Sequence, residues 1–289
     1  MDPLRVGLDL GGTKLCGAVV DAAGRVAAGP LLEATDRQRP PQAVIAALVD
    51  LVCRLEAASP GPVAGVGIGI PTTLDAQGGL VPCPNLPTMG GVSIRAELEG
   101  RLGRPVVLEN DANCYAWGEW RAGAGRGTRH CCCLTLGTGL GMGIILNGAL
   151  HRGAHGSAGE VCYSPYAGGR QVEEVASGLG IARAYGERTG RQAGAVEVAQ
   201  AARQGDEAAQ EVWREFGTSL GFAICYAVNL LDPEVVVLGG GMVEAWDLFH
   251  PSLGAVVERH AYDSRLVRLV RAELGGLGGA IGAALVQPE

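Results

Sequence analysis

Short apolar runs separated by glycine-rich turns open the chain. Segments 4–12 and 14–21 predict two strands around a glycine turn, and segment 24–34 predicts a third strand. Segment 41–57 instead repeats its apolar residues at helical spacing, which predicts an amphipathic helix. The apolar stripe of this helix consists of Val44, Ile45, Leu48, Leu51, Val52 and Leu55.

Helices and apolar strands alternate over the next part of the chain. Segment 63–71 predicts a buried strand, segment 94–103 a helix, and segment 105–111 another strand. Hairpin strands followed by this alternation are typical of a mixed sheet with helical crossovers. The order therefore predicts an α/β fold class.

A second copy of the same order begins near residue 129. Segment 130–153 again predicts a strand, a glycine-rich turn and a strand, and a long helix over 208–231 leads into a strand over 234–241. Two halves that open in the same way indicate an internal structural duplication. We expect a cleft between the halves, where ligands commonly bind.

Composition limits the class of partner. The 289 residues suffice for about two domains, and an apolar fraction of 47% with only 4% aromatic residues predicts a core of Ala, Val, Leu and Ile. A net charge of −7 argues against a nucleic-acid partner, because phosphate neutralisation requires clustered Lys and Arg. Neither a signal segment nor an apolar run of membrane-spanning length occurs, so we expect a cytoplasmic protein without a membrane partner.

The nine cysteines favour buried thiols over a zinc site. Most of them lie inside apolar runs, as small hydrophobic residues do in a reducing compartment. Neither a pair of CxxC motifs nor a CxxC motif with a partnered His pair is present. In the adjacent Cys131, Cys132 and Cys133, a strand would turn the middle side chain to the opposite face.

The first glycine turn carries an aspartate and a threonine-lysine pair. The spacing of Gly7, Gly12, Thr13 and Lys14 approaches a P-loop, but a P-loop places Lys before Ser or Thr, so a phosphate would be held in another manner. Backbone N–H groups in such turns can form anion sites. Asp9, at the end of an apolar strand, would either hold Mg²⁺ through water or hydrogen-bond its own turn.

Glu109, Asn110 and Asp111 end a buried strand that precedes a helix. A carboxylate at the carboxyl end of a strand, within reach of a substrate hydroxyl, suits general-base catalysis. Phosphoryl transfer requires chiefly such a base, positioned phosphates and a metal. Alternatively, Asp111 or Asn113 would cap the helix.

These segments together resemble one family. The ordered set GLDLGGTK, PNLP, LENDAN, LTLGTGLGMGIILNGALHRGAHGSAGE and VVVLGGGMVE is similar to the ROK family of bacterial sugar kinases and repressors, within the actin-like, hexokinase and heat-shock ATPase superfamily. The resemblance extends from residue 5 to about residue 285. It implies a two-lobed actin-like (ribonuclease H-like) α/β ATPase fold with mixed sheets and an interdomain cleft.

The resemblance also implies the extent of each lobe. A small N-terminal lobe, 1–115 plus 276–289, would carry the first phosphate loop and the catalytic base. A large lobe, 116–275, would carry the second phosphate loop, the sugar-side segment and the adenosine motif. A Gly/Ala-rich helix over 275–287 would return to the first lobe. ATP would bind in the cleft, and the lobes would close on the sugar to exclude water.

The family pattern implies roles for individual residues. Asp111 would take the proton from a sugar hydroxyl, and Asp9 would hold Mg²⁺ through water beside the ATP phosphates. The implied nucleotide-binding residues are Asp9, Gly11, Gly12, Thr13 and Lys14 in the first phosphate motif, Gly137, Thr138 and Gly139 in the second, and Gly239, Gly240 and Gly241 in the adenosine motif. The candidate sugar-binding residues are Asn85, Asn110, Asp111, Glu160, Glu173 and Tyr163.

The sugar-side segment departs from the family pattern. The family usually has a histidine three residues after the glutamate that Glu160 matches, followed by a cysteine-rich zinc segment, whereas this chain has Tyr163 and no cysteine cluster. We therefore expect no structural zinc. The Tyr163 hydroxyl would contact the sugar or its ring would pack, and Glu174 is the neighbouring alternative to Glu173. Thr72 replaces a more usual glycine and would alter the pocket wall.

The implied activity is ATP-dependent phosphorylation of a hexose hydroxyl, with glucose as the first expectation. An N-acetylhexosamine or fructose kinase and a non-catalytic sugar-sensing relative are the alternatives. Regulators of the family carry an N-terminal DNA-binding helix-turn-helix, for which a phosphate loop beginning at residue 9 leaves no room, so an enzyme is favoured. The family and the prevalence of two-fold dimers lead us to expect a homodimer.

Overall fold

Residues 3–75 and 77–286 are described by the computed structural model, in which the chain forms two compact units. The first unit comprises Met1–Gly127, Leu150–Ala158 and Gly276–Glu289, and the second comprises Thr128–Ala149 and Gly159–Gly275. The expected end of the C-terminal helix at residue 287 and the expected ends of the small lobe at residues 1 and 289 lie outside the described residues.

Each unit is built on a five-stranded sheet, counted over the described residues. The strands are β1 (Leu4–Leu10), β2 (Lys14–Val20), β3 (Val26–Ala34), β4 (Val63–Ile70), β5 (Val106–Asn110), β6 (Cys131–Leu136), β7 (Leu140–Leu146), β8 (Ala149–Leu150), β9 (Val235–Gly239) and β10 (Arg268–Arg271). The α-helices are α1 (Pro41–Ala58), α2 (Ile94–Leu102), α3 (Asp111–Ala122), α4 (Gly178–Thr189), α5 (Ala195–Arg203), α6 (Glu207–Leu231), α7 (Trp246–His260) and α8 (Gly278–Leu285).

The two sheets share one strand order. In the first sheet β1 pairs antiparallel with β2 and parallel with β4, and β5 continues the parallel half. In the second sheet β6 pairs antiparallel with β7 and parallel with β9, and β10 continues the parallel half. Both sheets thus follow the order third, second, first, fourth, fifth strand. The mixed sheets and the structural duplication predicted from the apolar pattern are confirmed.

One face of the first sheet is covered by α1 and α2. All six residues of the predicted α1 stripe are buried. They form one core with Val6, Leu8 and Leu10, which alternate along β1 and therefore share a face of the sheet. Full burial of each Leu, Val or Ile contributes about 1.5–3 kcal/mol, so this helix is held mainly by its stripe.

Glycines shape the opposite face of the first sheet. A methyl group at Gly7 of β1 would overlap the Ala280 carbonyl oxygen, and one at Gly67 of β4 would overlap that of Ala283. The backbone of α8 therefore lies directly on the strands, as its Gly/Ala composition permits. This close packing also sets Gly279 against the Asp9 carboxylate.

The first unit continues past the position at which the sequence places the lobe boundary, residue 115. Residue 115 lies within α3, and α8 packs along that helix. The Trp117 indole N–H donates to the Leu285 carbonyl at 3.1 Å. Because these contacts bind the whole of α3 to α8, the first unit extends to Gly127.

The second unit contains helices for which the apolar pattern gave no prediction. These are α4, α5 and α7, whereas α6 follows the predicted segment closely and begins at Glu207 with Asp206 as its N-cap. Trp213 and Phe216 of α6 pack with Phe249 of α7 at ring distances of 6.2 and 5.3 Å. No helix in the described part of the chain has the length and apolar character needed to cross a membrane.

Most cysteines are buried thiols, as predicted. All nine are free, and only Cys53 and Cys83 are not buried. Cys131, Cys132 and Cys133 lie in β6 and are fully buried on both faces of the strand. Burial raises the pKa of the Cys132 thiol to about 12, so this thiol is unreactive at neutral pH.

Candidate active site

Polar residues gather at one edge of the first sheet. Strands β1, β4 and β5 are parallel, so their carboxyl ends meet at the same edge. The register aligns Asp9 with Gly69 and Gly69 with Glu109. Since aligned residues of neighbouring strands point to the same face, the two carboxylates flank Gly69 at a strand spacing of ~4.8 Å on each side. The first turn of α3 lies over Gly69, whose added methyl group would be 3.5 Å from the Asp111 Cα.

Asn110 caps α3, and Asp111 is its first residue. The Asn110 Oδ1 accepts the Asn113 N–H at 3.1 Å, which is an N-cap hydrogen bond. The Asp111 Oδ1 accepts the N–H of Ala112 at 2.7 Å. The cap is therefore neither Asp111 nor Asn113, the two residues that the sequence offered for that role. The role of Asp111 as the base stays a prediction.

Glu109 and Arg152 form a partly buried ion pair that the sequence did not reveal. The Arg152 Nε lies 2.6 Å from Glu109 Oε2, and the Glu109 side chain is only 9% exposed. Glu109 Oε1 also accepts from the Asn113 side-chain amide at 2.9 Å and from the Asn110 N–H at 3.0 Å. The pair ties Leu150–Ala158 to the first unit and holds the turn that presents Asp111. A glutamate at the end of an apolar strand was the available signal, but its partner is 43 residues away in the chain.

The first phosphate turn, residues 11–14, joins β1 to β2. The Gly11 N–H donates to the Lys14 carbonyl at 2.8 Å and closes the turn. Gly12 lies against the backbone of Asn85, whose carbonyl oxygen would be 2.9 Å from a methyl group there. The structure thus brings together two predicted motifs that are far apart in the chain. Lys14 is the only lysine in the sequence, and its side chain is exposed.

Asp9 is a partly buried carboxylate next to this turn. Burial raises the pKa of the Asp9 carboxyl to about 6, and the positive charge of Lys14 offsets part of that rise. Burial disfavours the ionised form of a carboxylate, and a nearby cation stabilises that form. Within the described residues no group of three or more His, Cys, Asp or Glu side chains is arranged to hold a metal ion, so a cation at Asp9 would need further ligands from water and substrate.

Asp9→Asn is expected to stabilise the protein at neutral pH when nucleotide and divalent cations are absent. The ordinary pKa of 3.8 applies to the unfolded chain, and the folded pKa is about 6. As pH rises, the unfolded state loses its proton first, so the folded state loses about 2–3 kcal/mol of stability between about pH 4 and pH 6. Asn avoids this loss. Denaturant unfolding in EDTA should show the gain at about pH 7.5 and none at about pH 4.

Asp263→Asn is the matched control for the sign of this effect. A hydrogen bond from Arg265 lowers the pKa of the Asp263 carboxyl, at an Nη2–Oδ2 distance of 2.8 Å. Removing that carboxylate should lower stability at neutral pH instead of raising it. If Asp9→Asn gave the same gain at both pH values, or no gain at either, burial of the Asp9 carboxylate would not be the cause.

The second phosphate turn, residues 137–140, is held against the start of α4. The Gly178 N–H donates to the Gly137 carbonyl at 2.9 Å, and the Leu179 N–H donates to the Thr138 carbonyl at 3.3 Å. In a trans peptide the N–H points opposite to the C=O. The N–H groups of Thr138 and Gly139 therefore point away from α4, as a phosphate-binding turn requires.

The predicted adenosine motif adjoins this turn. Gly239 ends β9 and pairs with Thr135 of β6. Gly240 has a φ of 86° and lies on the backbone of Leu136, so a side chain would be both strained and blocked there. Gly241 begins a 3-10 helix, Gly241–Ala245. The second unit thus places both of its predicted nucleotide motifs side by side.

The sugar-side segment folds as a hairpin. The Glu173 N–H donates to the Cys162 carbonyl at 3.0 Å, and the Val172 N–H donates to the Ser164 carbonyl at 2.9 Å. Backbone hydrogen bonds thus close the segment in which the family usually has zinc ligands. Tyr163 is 60% exposed, so its ring does not pack in the core.

Glu160 and Glu173 occupy different surroundings. Glu160 is exposed, and its Oε2 accepts a hydrogen bond from the Cys162 thiol at 3.4 Å. The Glu173 Oε2 accepts the Leu140 N–H at 2.9 Å, which attaches it to the second phosphate turn. The family resemblance implied only a sugar-binding role for Glu173. Glu174 points elsewhere, since its Oε2 accepts the Gln171 N–H at 2.7 Å.

Thr72 closes a loop on the first unit. Its hydroxyl donates to the Val81 carbonyl at 2.8 Å, and the residue is 9% exposed. The Val81 N–H donates to the Thr73 carbonyl at 2.9 Å. The hydroxyl at the position of the usual glycine is therefore used within the protein, where it joins Thr72 to Val81.

Known proteins resemble this chain over nearly its whole length. A model of the ROK family matches residues 5–289. The glucokinase of Streptomyces coelicolor is 31% identical over 97% of this chain and 96% of that protein. The N-acetyl-D-glucosamine kinase of Vibrio cholerae is 33% identical over 97% of this chain and 98% of that protein.

A solved structure extends the likeness to the fold. The ROK family glucokinase from Streptomyces griseus, in complex with glucose and AMPPNP, matches with a TM-score of 0.82 at 31% identity, covering 97% of this chain and 98% of that one. The predicted actin-like α/β fold with mixed sheets is confirmed by this match and by the strand order. Because the family model matches residues 5–289 and relatives are more than 30% identical over almost the full chain, the protein belongs to the ROK family.

Proposed function

We propose that this protein transfers the γ-phosphoryl group of ATP to a hydroxyl of a hexose, with glucose as the first substrate to test. The observation that carries the proposal is the polar edge of the first sheet, where Asp9 and Asp111 lie at the carboxyl ends of parallel strands beside a glycine turn. A phosphate turn, a cation-binding carboxylate and a base are the parts that phosphoryl transfer requires. Membership of the ROK family and relatives named as sugar kinases support it.

Asp111 acts as the general base in this proposal. The hydrogen bond from the Ala112 N–H fixes the orientation of the carboxylate, as proton abstraction from a positioned hydroxyl requires. Asp111 takes the proton of the sugar hydroxyl while the hydroxyl oxygen attacks the γ-phosphorus, and the bond from the γ-phosphorus to the β–γ bridging oxygen breaks so that ADP leaves. Asn110 uses its Oδ1 as the helix cap, which leaves its Nδ2 to donate to a sugar hydroxyl. Asn85, exposed beside Gly12, is a further proposed sugar contact.

The ATP phosphates are proposed to meet backbone N–H groups of the first phosphate turn and the Lys14 ammonium. Asp9 fits a water-mediated contact with Mg²⁺, because its carboxylate is partly buried and accepts no hydrogen bond within the described residues. Bound Mg²⁺ would supply charge neutralisation at the β- and γ-phosphates. Lys14 would hold its charge next to the same oxygens.

The second unit is proposed to supply the remaining contacts. The N–H groups of Thr138 and Gly139 point away from α4 and suit a phosphate oxygen. A side chain at Gly241 would project into open space, so its absence leaves room for an adenosine to approach the backbone of the adjoining turn. Glu160, Glu173 and Tyr163 are the proposed sugar contacts on this unit.

The test is ADP release by the purified protein with Mg²⁺ and ATP. Glucose, fructose, mannose, glucosamine and the N-acetyl forms are added singly. We expect release that depends on a hexose and is strongest with glucose. If no sugar of the panel causes ADP release while AMPPNP still binds, the kinase function is contradicted and the non-catalytic sugar-sensing alternative is favoured.

N-acetylhexosamine phosphorylation is the second candidate function. The observation in its favour is the relative named N-acetyl-D-glucosamine kinase, which is 33% identical over 97% of this chain. Turnover with N-acetylglucosamine above that with glucose would select it, and turnover with fructose alone would select the fructose alternative. The homodimer and the cytoplasmic location stay predictions of the sequence, and light scattering on the purified protein tests the former.

A further inference from the structure

A carboxylate from the sugar-side segment braces the second phosphate turn. Glu173 ends the hairpin, and its Oε2 accepts the N–H of Leu140, the last residue of the turn, at 2.9 Å. Gly139 makes this approach possible, because a methyl group there would overlap the Glu173 carboxylate. The side chain is partly exposed, and its Oε1 has no hydrogen-bond partner in the described part of the chain.

The backbone of the same segment holds the rest of the turn. Gly178 and Leu179, five and six residues after Glu173, donate to the carbonyls of Gly137 and Thr138. Three of the four residues in the turn are therefore hydrogen-bonded to residues 173–179. Two of these hydrogen bonds are donated by backbone N–H groups in the first turn of α4. Ser177 is the N-cap of this helix, and its Oγ accepts the Gly180 N–H at 3.1 Å. Only the Glu173 bond is made by a side chain that can change its rotamer.

We propose that Glu173 is a positioning residue that couples hexose binding to the second phosphate turn, an inference that rests on the proposed sugar kinase function. A sugar hydroxyl donated to Oε1 fixes the rotamer in which Oε2 holds the Leu140 N–H. The turn then reaches its phosphate-binding geometry at a lower entropic cost. The coupling is reciprocal, so a bound nucleotide tightens hexose binding by the same factor.

The electrostatic effect of hexose binding on nucleotide binding has the same sign as the entropic effect. A carboxylate beside a phosphate turn repels the phosphates, and the repulsion is strongest when the carboxylate has few hydrogen-bond donors. A hexose hydroxyl adds a donor to Glu173 and spreads its negative charge. Hexose binding is therefore expected to favour nucleotide binding on both grounds.

Isothermal titration measures the coupling directly. The Kd of glucose, or of the panel sugar that gives turnover, is measured with and without saturating Mg²⁺ and AMPPNP. We expect the nucleotide analogue to tighten sugar binding of the wild type by about fivefold or more. In Glu173→Ala the ratio of the two Kd values should fall to within about twofold of one. Glu173→Gln keeps an acceptor for the Leu140 N–H and should restore part of the ratio. A merely structural residue would instead change both Kd values together and leave their ratio near that of the wild type.

Glu174→Ala is the matched control. Glu174 is the adjacent residue and also a glutamate, but it accepts the Gln171 N–H and pairs with Arg183 at 3.7 Å. It makes no contact with the turn that would transmit sugar binding. Its Kd ratio should equal that of the wild type.

The outcomes separate this inference from the proposed function. If the wild type binds a hexose and AMPPNP independently of each other, or if Glu173→Ala has the same Kd ratio as the wild type, the inference is overturned. The proposed kinase function is unaffected by either result. If the wild type binds neither a hexose of the panel nor AMPPNP, the proposed function fails and the inference fails with it. If Glu173→Ala does not fold, the Kd ratio of Glu173→Gln decides: a ratio below that of the wild type supports the inference, and a ratio equal to that of the wild type overturns it.

Discussion

Asp111→Asn is expected to lower kcat for hexose phosphorylation by a factor of about 10²–10⁴, the usual contribution of a general base. Asn has the shape of Asp but cannot accept the hydroxyl proton. It keeps an Oδ1 that accepts the Ala112 N–H, which is 2.7 Å from the Asp111 oxygen, so α3 should begin as before. Nucleotide affinity should change little, because the phosphate turns are untouched. Steady-state ADP release gives kcat, and titration with AMPPNP gives the nucleotide Kd.

Asp232→Asn is the control for the chemistry of the substitution. Asp232 is an exposed C-cap of α6 with a φ of 47°, a left-handed conformation that Asn tolerates well. Its kcat should equal that of the wild type. Turnover by Asp111→Asn within about threefold of the wild type would remove Asp111 from the role of base, since loss of a base costs at least about 10².

The positions of the two carboxylates could be predicted because each follows from its own neighbourhood in the chain. Asp9 and Asp111 both end apolar runs, and parallel strands place their carboxyl ends at one edge of a sheet. The glycine turns were equally local, since a tight turn between two strands needs glycine wherever it occurs. The family resemblance added the roles that spacing alone leaves open.

The supports of the site could not be predicted in the same way. The bond from Leu140 to Glu173 joins residues 33 apart, and the pair of Arg152 with Glu109 joins residues 43 apart. Such contacts depend on how whole segments are folded over one another, and a glutamate next to a strand has many possible partners. The helix cap shows the same limit on a smaller scale, because Asn110, Asp111 and Asn113 all have suitable side chains and only the backbone geometry selects Asn110.

The Gly/Ala-rich helix was predicted as a helix, but its packing was not. Low side-chain volume over 275–287 gives a weak amphipathic pattern, so no face of the helix could be assigned to the core. In the structure every residue of α8 is buried, between the first sheet and α3. Close contacts between backbones therefore require glycine in this region, and only the fold reveals these contacts.

Gly282→Ala is expected to destabilise the protein by about 4 kcal/mol or more, at the upper end of single substitutions. A methyl group at Gly282 of α8 would overlap the Cys114 carbonyl oxygen and lie 2.9 Å from the Gly118 nitrogen of α3. Both are backbone atoms, so no side chain can move aside, and one helix must shift. Gly279 of the same helix lies against Asp9, so the shift would also disturb the proposed cation site. Thermal unfolding should show a Tm lower by about 10 °C or more, or no folded protein.

Gly100→Ala is the same substitution in a helix where the added methyl group meets no neighbouring atom. Gly100 is exposed in α2, and a methyl group there would have no heavy atom within 4 Å. Alanine should therefore stabilise the protein by about 0.5–1 kcal/mol, because glycine costs a helix that much in backbone entropy. Opposite signs for the two variants would show that α8 is fixed by backbone approach, since helix propensity alone predicts a gain at both positions. A Tm of Gly282→Ala at or above that of the wild type would mean that α8 does not lie on α3 as closely as this structure has it.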